Sequence, residues 1–130
     1  MIYLDSAFCI YAVEDTHERG EHALALFGQP ERFAVSPLVL LECFVKPFRD
    51  ADVQLEDDYR HFFDQLTMLA MDMTTYERAA RLRASTQIRT PDALHWAVAG
   101  QHDCAAIWTG DQRFAHATNG YAVDVFADEA

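Results

Sequence analysis

The sequence contains few cysteines and no spacing typical of a zinc site. Its three cysteines, Cys9, Cys43 and Cys104, are scattered through apolar stretches. An odd number of scattered cysteines without a CxxC pair argues against both a disulfide framework and a structural zinc site. We therefore expect three reduced thiols in the core of a cytoplasmic protein.

Long hydrophobic runs are also missing. No apolar stretch approaches the roughly 18–20 residues that are needed to span a bilayer. The first residues include acids and lack the basic start of a secretory leader. We expect no membrane segment. With 130 residues, no linker and no repeat, the chain is predicted to form one domain over 1–130.

Positive charge is scarce. Ten Lys and Arg residues face 21 Asp and Glu residues, which gives a formal net charge of −11. Broad, non-specific binding of nucleic acid usually needs a basic surface, so the charge argues against it. A nucleic acid held by a local basic patch and metal ions stays possible, and so does a basic partner protein.

The hydrophobic pattern alternates between strands and helices, which predicts an α/β fold. Four to five parallel strands would form a sheet with helices on both faces. Residues 110–114 are predicted to be a turn, and Thr74 with Glu77 suggests a capping box. The predicted strands are 1–5, 32–36, 67–71, 104–109 and 121–126, and the predicted helices are 7–14, 16–28, 37–50, 55–66, 74–85 and 91–101.

Four acids stand in apolar surroundings: Asp5, Glu42, Asp92 and Asp111. Asp5 and Asp111 follow predicted strands, and in a parallel sheet the carboxyl ends of strands share the edge where ligands bind. A buried carboxylate is costly unless it is paired, protonated or metal-bound. One shared site would explain all four acids together.

Each acid also has a local explanation. Asp5 would cap the following helix, and Asp92 would favour the positive end of a helix dipole. Asp111 would be a turn residue, and Glu42 would either reach solvent or pair with Lys46 four residues on. If the four converge instead, their oxygens suit Mg²⁺ or Mn²⁺. Phosphodiester hydrolysis by activated water is the natural chemistry of such a site, and no GxSxG, Walker A or GxGxxG motif offers another.

The acidic blocks "MIYLDSAFCIYAVE", "LLECF", "TPDALHWAVA" and "WTGDQRFA" resemble those of PIN-domain ribonucleases, in particular the VapC-type toxins of bacterial type II toxin–antitoxin systems. The resemblance extends over essentially the whole chain. It implies a parallel sheet flanked by helices, endonucleolytic cleavage of RNA with Mg²⁺ or Mn²⁺, and inhibition by a cognate antitoxin. The expected homodimer rests on the apolar stretches 7–13 and 61–71, which exceed what one small core needs. One of them would serve the dimer or an antitoxin groove, with core packing as the default.

The resemblance also implies roles for individual residues. Asp5, Asp92 and Asp111 match metal ligands, and Glu42 matches the catalytic helix Glu. Thr109 matches a hydroxyl position that orders the site. Three further neighbours complete the comparison. Ser6 is retained as a polar contact, whereas the family often has Asn where Ala7 stands and a longer residue where Gly110 stands.

Two alternatives remain open. The first is a catalytically weak or inactive PIN-like binding protein that acts through a protein partner, as Ala7 and the acidic surface suggest. The second is a phosphotransfer domain on a doubly wound sheet. A receiver domain expects paired acids and a late Lys, and a phosphatase expects Asp-x-Asp. The chain has Asp5, Ser6 and Ala7 in the first block and no Lys beyond Lys46.

Other residues near the acids have ordinary interpretations. His95, one turn after Asp92, is expected to be a hydrogen-bonded structural histidine. Trp96 and Trp108 lie in apolar runs and are expected in the core. Arg89 and other basic residues near the acids would either steer phosphates or lie on solvated helix faces.

Overall fold

Five short strands form a single sheet in which all neighbouring strands are parallel. The computed structural model describes residues 1–127, and their strand order is β3-β2-β1-β4-β5. β1 is therefore central. The strands are β1 (Ile2–Leu4), β2 (Phe33–Val35), β3 (Thr67–Met68), β4 (Ala106–Thr109) and β5 (Ala122–Asp124).

Helices connect all the strands, as parallel pairing requires. Two helices each link β1 to β2, β2 to β3 and β3 to β4, and one short helix links β4 to β5. The helices are α1 (Ser6–Glu14), α2 (Glu18–Phe27), α3 (Pro37–Arg49), α4 (Val53–Asp64), α5 (Met73–Ser85), α6 (Thr90–Gln101) and α7 (Gln112–Ala117).

The direction of the crossovers places helices on both faces of the sheet. The chain first moves outward from β1 to β2 and β3, then crosses back to β4 and β5. Because such crossovers are almost always right-handed, helices α1 to α4 lie on one face and α5 to α7 on the other. Helix α1 packs against α2, α3 and α4, and α5 packs against α6. The predicted α/β architecture is confirmed.

The central strands and side chains from the helices on both faces form the core. All three residues of β1 and of β2 are buried, as expected for strands covered on both faces. Tyr3, Phe8, Tyr59 and Phe114 are among the largest fully buried side chains. The three cysteines are buried and free, as the sequence predicted. Within residues 1–127, no helix has the length and apolarity that a membrane span requires.

Two local predictions are wrong. Residues 110–114 were expected to be a turn, but the Asp111 side chain caps a helix that begins at Gln112. The capping box of α5 is formed by Asp72 and Thr75, and the helix begins at Met73, before the predicted start. In both cases an Asp accepts hydrogen bonds from free N–H groups of the first turn, which moves the helix boundary.

The order in which the chain adds strands reverses at β1 and β4, and this strand reversal leaves a crevice at the carboxyl ends of the two parallel strands. From β1 the chain continues to β2 on one side, and from β4 it continues to β5 on the other. The Asp5 N–H donates to the Trp108 carbonyl at 3.2 Å, which joins the two strand ends. In doubly wound sheets this reversal is the usual place for a ligand.

Candidate active site

Two acids lie at the strand reversal. Asp5 directly follows β1 and is 5% exposed. Its Oδ1 accepts the Phe8 N–H at 3.0 Å and so caps α1. Asp111 follows β4, and its Oδ1 accepts the N–H groups of Arg113 at 2.9 Å and Phe114 at 3.4 Å. Both acids are therefore helix caps as well as residues at the sheet edge.

The other two acids come from helices that cover this edge. Asp92 lies in the first turn of α6, where Pro91 favours the helix start. Glu42 lies in the middle of α3. All four acids line one cavity of about 240 Å³. Larger cavities exist elsewhere, such as an apolar one of about 300 Å³ beside Trp96, but the 240 Å³ cavity gathers the predicted acids. Its other lining residues are Ser6, Ala7, Arg89, Pro91 and His95.

Asp5 carries a buried charge that the chain compensates only in part. Burial raises the pKa of its carboxyl to about 6, against the opposing effects of His95, the Thr109 hydroxyl and the Phe8 N–H. Glu42 adds to the increase by repulsion. A carboxylate that stays this costly after its hydrogen bonds are formed favours an additional positive charge in the cavity.

Arg89 is the cation nearest to two of the acids. Its Nη2 lies 3.3 Å from Asp92 Oδ2 and 3.5 Å from Asp111 Oδ2. The Arg89 side chain is 62% exposed, so the two ion pairs are weak. The guanidinium thus lies between two carboxylates that belong to different elements.

Hydroxyl groups order the acids. Thr109 Oγ1 accepts the Asp111 N–H at 3.0 Å and helps to keep the Asp5 carboxylate ionised. Thr109 is fully buried, so the hydroxyl is held between the two strand-end acids. Ser6 Oγ donates to Glu42 Oε1 at 3.1 Å.

Glu42 is held by a histidine and does not pair with Lys46. His95 Nε2 lies 2.7 Å from Glu42 Oε1, whereas Lys46 pairs with Glu14 at 2.6 Å. Of the two local explanations for Glu42, the pairing with Lys46 is therefore wrong, because Lys46 reaches Glu14 on α1 instead. Burial opposes ionisation of Glu42, but the hydrogen bond and charge of His95 outweigh it and lower the pKa of the carboxyl.

His95 is itself part of a buried chain of polar groups. Its Nδ1 lies 2.7 Å from the Tyr3 hydroxyl, which lies 2.8 Å from Ser36 Oγ. His95 is a hydrogen-bonded core residue, as expected. The contributions of Tyr3 and Ser36 were missed, although a tyrosine between Ile2 and Leu4 in a buried strand was a signal: its hydroxyl needs a partner.

Of the two departures from the family pattern, Ala7 and Gly110, only Gly110 has a structural explanation. A Cβ on Gly110 would lie 2.7 Å from the edge of the Tyr11 ring and 3.3 Å from Phe126. The Tyr11 and Phe126 rings pack edge to face with their centroids 4.7 Å apart, so a longer residue at position 110 requires the rings to move. Ala7 lines the cavity without a polar group.

The four carboxylates that line the cavity suit a hard divalent cation, but their present positions do not yet let three of them share one ion. In the described residues 1–127, no three His, Cys, Asp or Glu side chains are placed to hold one ion. Arg89 occupies the space between Asp92 and Asp111, so it must leave before these acids share an ion with Asp5. The oxygen-only acids, and a buried carboxylate short of positive charge, suit Mg²⁺ or Mn²⁺.

Solved structures of the same fold cover nearly the whole chain. A toxin–antitoxin complex from Klebsiella pneumoniae matches with a TM-score of 0.79 and 20% identity, over 97% of this chain and 98% of that one. VapBC2 from Rickettsia felis, bound to a DNA fragment of its promoter, gives 0.78 and 21% over 95% and 98%. VapC20 from Mycobacterium tuberculosis, a toxin that cleaves the sarcin–ricin loop, gives 0.75 and 17% over 90% and 95%.

The match of the sequence to a family model shows the family to which the chain belongs. No curated protein matches the chain, and the solved structures are too distant in sequence to show more than the fold. The family model described as the PIN domain matches residues 2–119, which include all four acids, β1 and β4. The chain therefore belongs to the PIN domain family.

Proposed function

We propose that this PIN domain is a metal-dependent endoribonuclease and the toxin of a toxin–antitoxin pair. The observation that carries the proposal is the convergence of Asp5, Glu42, Asp92 and Asp111 on one cavity at the strand reversal. The structural similarity to toxin–antitoxin proteins, one of which cleaves the sarcin–ricin loop, supports the choice of RNA as the substrate.

Asp5, Asp92 and Asp111 would hold Mg²⁺ or Mn²⁺. When bound, the metal would supply an activated water and stabilise the charge that develops on the phosphate. Asp5 and Asp111 already use one carboxylate oxygen each as a helix cap. The caps fix the direction of both side chains and so reduce the ordering needed when a metal binds.

Glu42 would guide the water that attacks the phosphodiester. Its Oε1 accepts hydrogen bonds from His95 and Ser6, and its carboxyl is kept ionised. An ionised carboxylate at the cavity wall accepts a proton from water in line with the bond that breaks. The attack is direct and forms no covalent intermediate, and Ser6 serves as a donor to Glu42.

Arg89 would exchange partners during the reaction. With Asp92 and Asp111 engaged as metal ligands, the Arg89 guanidinium would be free to bind a phosphate oxygen of the RNA. Such an exchange provides a local positive group on a chain with a net charge of −11. The same acidic balance suits a basic segment of the cognate antitoxin, and a homodimer is the proposed oligomer.

The direct test is cleavage of a fluorophore-labelled RNA in Mg²⁺ or Mn²⁺ by the wild type, Asp5→Asn and Asp92→Asn. Both variants should lose cleavage, and a chelator should stop the wild type. Asp103→Asn is the matched control, because Asp103 is exposed and has a φ of 57°, which Asn tolerates. Equal cleavage by all variants would point to a contaminating nuclease.

One rival function rests on the same cavity. Arg89 paired with two acids and the apolar Ala7 also suit an inactive PIN-like protein that acts through a partner. Calorimetric titration with Mn²⁺ separates the two. Binding that is lost in Asp5→Asn supports the nuclease, whereas no binding at millimolar metal supports the rival.

A further inference from the structure

A line of polar side chains crosses the core and ends at Glu42. Ser36 follows β2, Tyr3 lies in the central strand, and His95 lies on α6. Ser36 and Tyr3 are fully buried and His95 is 2% exposed. Successive distances are 2.8 Å from Ser36 Oγ to Tyr3 Oη, 2.7 Å from Tyr3 Oη to His95 Nδ1, and 2.7 Å from His95 Nε2 to Glu42 Oε1.

Packing alone does not require this line. A Phe in place of Tyr3 and an apolar residue in place of His95 would fill the same volume without buried polar groups, which are costly unless they are bonded. In the described part of the chain, every buried side-chain polar atom has a partner. The core therefore retains three linked polar groups, and the line that they form ends at the cavity.

The line has a fixed direction at its cavity end. An ionised Glu42 can only accept, so His95 Nε2 carries a hydrogen whether the ring holds one proton or two. With one proton on the ring, Nδ1 accepts from the Tyr3 hydroxyl, whose oxygen accepts from Ser36. With two protons, Nδ1 donates to the Tyr3 oxygen, and the Tyr3 hydroxyl donates to Ser36. His95 and Ser6 both donate to Oε1, and none of the described residues donates to Oε2.

We propose that His95 is a positioning residue for the cleavage reaction: backed by Tyr3 and Ser36, it fixes Glu42 through Oε1 and leaves Oε2 for the attacking water. The inference rests on the proposed function, because it assigns Glu42 the task of accepting a proton. A partner of this kind, which orients a reactive group by a hydrogen bond, typically contributes about 10–100-fold to activity.

Two substitutions at position 95 separate positioning from packing. His95→Asn is too short to reach Glu42 from α6, whereas the amide nitrogen of His95→Gln can take the place of Nε2. We expect His95→Asn to lower kcat by about 10–100-fold with KM within about twofold. His95→Gln should recover most of that loss. His102→Asn is the control, because His102 Nε2 bonds the Ala70 carbonyl away from the cavity.

A double-mutant cycle shows whether His95 acts through Glu42. Glu42→Gln alone should remove most activity, and adding His95→Asn should then cost nothing more. Equal losses from His95→Asn in both backgrounds would overturn the proposal, as would a His95→Gln variant no better than His95→Asn.

Nuclear magnetic resonance of ¹⁵N-labelled histidine gives a test that does not depend on cleavage. We expect a proton on His95 Nε2 that exchanges slowly with water and exchanges faster in Glu42→Ala. Tyr3→Phe, which removes one oxygen and keeps the ring, should shift the Nδ1 resonance. A ring protonated at Nδ1 alone, or an Nε2 proton indifferent to Glu42→Ala, would overturn the proposal even if His95→Asn failed to fold. If the wild type cuts no RNA, the proposed function fails, and this measurement still decides the hydrogen-bond chain.

Discussion

Asp111 combines two functions that substitution can separate. Its carboxylate caps α7 by accepting two backbone N–H groups, and it is proposed to help bind the metal. Asn is as good a cap as Asp but has no charge. Asp111→Asn should therefore fold almost as stably as the wild type and lose RNA cleavage by at least about 100-fold, since it loses a charged metal ligand.

The expected stabilities follow from the contacts. Loss of the exposed ion pair with Arg89, at 3.5 Å, costs about 0.5 kcal/mol or less. Asp111→Ala loses the ion pair and the cap, and a cap is worth about 1 kcal/mol. Thermal unfolding should thus place Asp111→Asn within about 2 °C of the wild type and Asp111→Ala about 4–6 °C below it.

A second helix cap supplies the control. Asp52 Oδ1 accepts the Leu55 N–H at 3.0 Å at the start of α4, and Asp52 does not line the cavity. Asp52→Ala should lose about 1 kcal/mol of stability and keep its cleavage rate. If Asp111→Asn cleaves RNA at the wild-type rate, Asp111 is not a required metal ligand. If Asp52→Ala loses cleavage together with Asp111→Ala, the loss follows from reduced stability and not from the metal site.

Three further predictions concern the same cavity. In chelator, the contribution of Asp5 to the stability of the metal-free protein should fall as pH rises from about 4 to above 6, because folding raises the pKa of Asp5 from 3.8 to about 6 and the folded state then binds the extra proton. The loss is on the order of 3 kcal/mol, and denaturant unfolding of Asp5→Asn should not show it; a wild type with the same pH profile as Asp5→Asn would contradict the prediction. Arg89→Gln removes two exposed ion pairs worth about 0.5 kcal/mol each, so calorimetry should show Mn²⁺ affinity rising about fivefold while KM for RNA increases; unchanged affinity would mean that Arg89 does not compete with the metal. Ser6→Ala removes the longer of the two hydrogen bonds to Glu42 Oε1, so kinetics should show a smaller loss of kcat than His95→Asn, and a larger loss would make Ser6 the main support of Glu42.

The architecture was predictable because periodicity and turn residues record it directly. Alternating apolar runs and helical patterns gave all five strands and six of the seven helices of residues 1–127. Helix α7 was missed because it is six residues long, too short to show a helical period, and because Gly110 and Asp111 favour a turn equally well.

Only the charged residues of the site could be predicted from the sequence. The four acids drew attention because a carboxylate in apolar surroundings needs an explanation, and they do line one cavity. Tyr3 and Ser36 gave a weaker signal, since an uncharged hydroxyl in a strand is common. Their link to His95 and Glu42 joins residues 92 and 53 positions apart in the chain, and sequence periodicity carries no information about such contacts.

The central claim is that Asp5, Asp92 and Asp111 bind a divalent cation together. A crystal structure of the wild type grown with Mn²⁺ tests it most directly, because the anomalous signal locates the metal. We expect a manganese peak within the cavity, with oxygens of these three acids at about 2.0–2.6 Å and Arg89 moved away from Asp92 and Asp111. A cavity without manganese at saturating metal, with Arg89 still between the two acids, would contradict it.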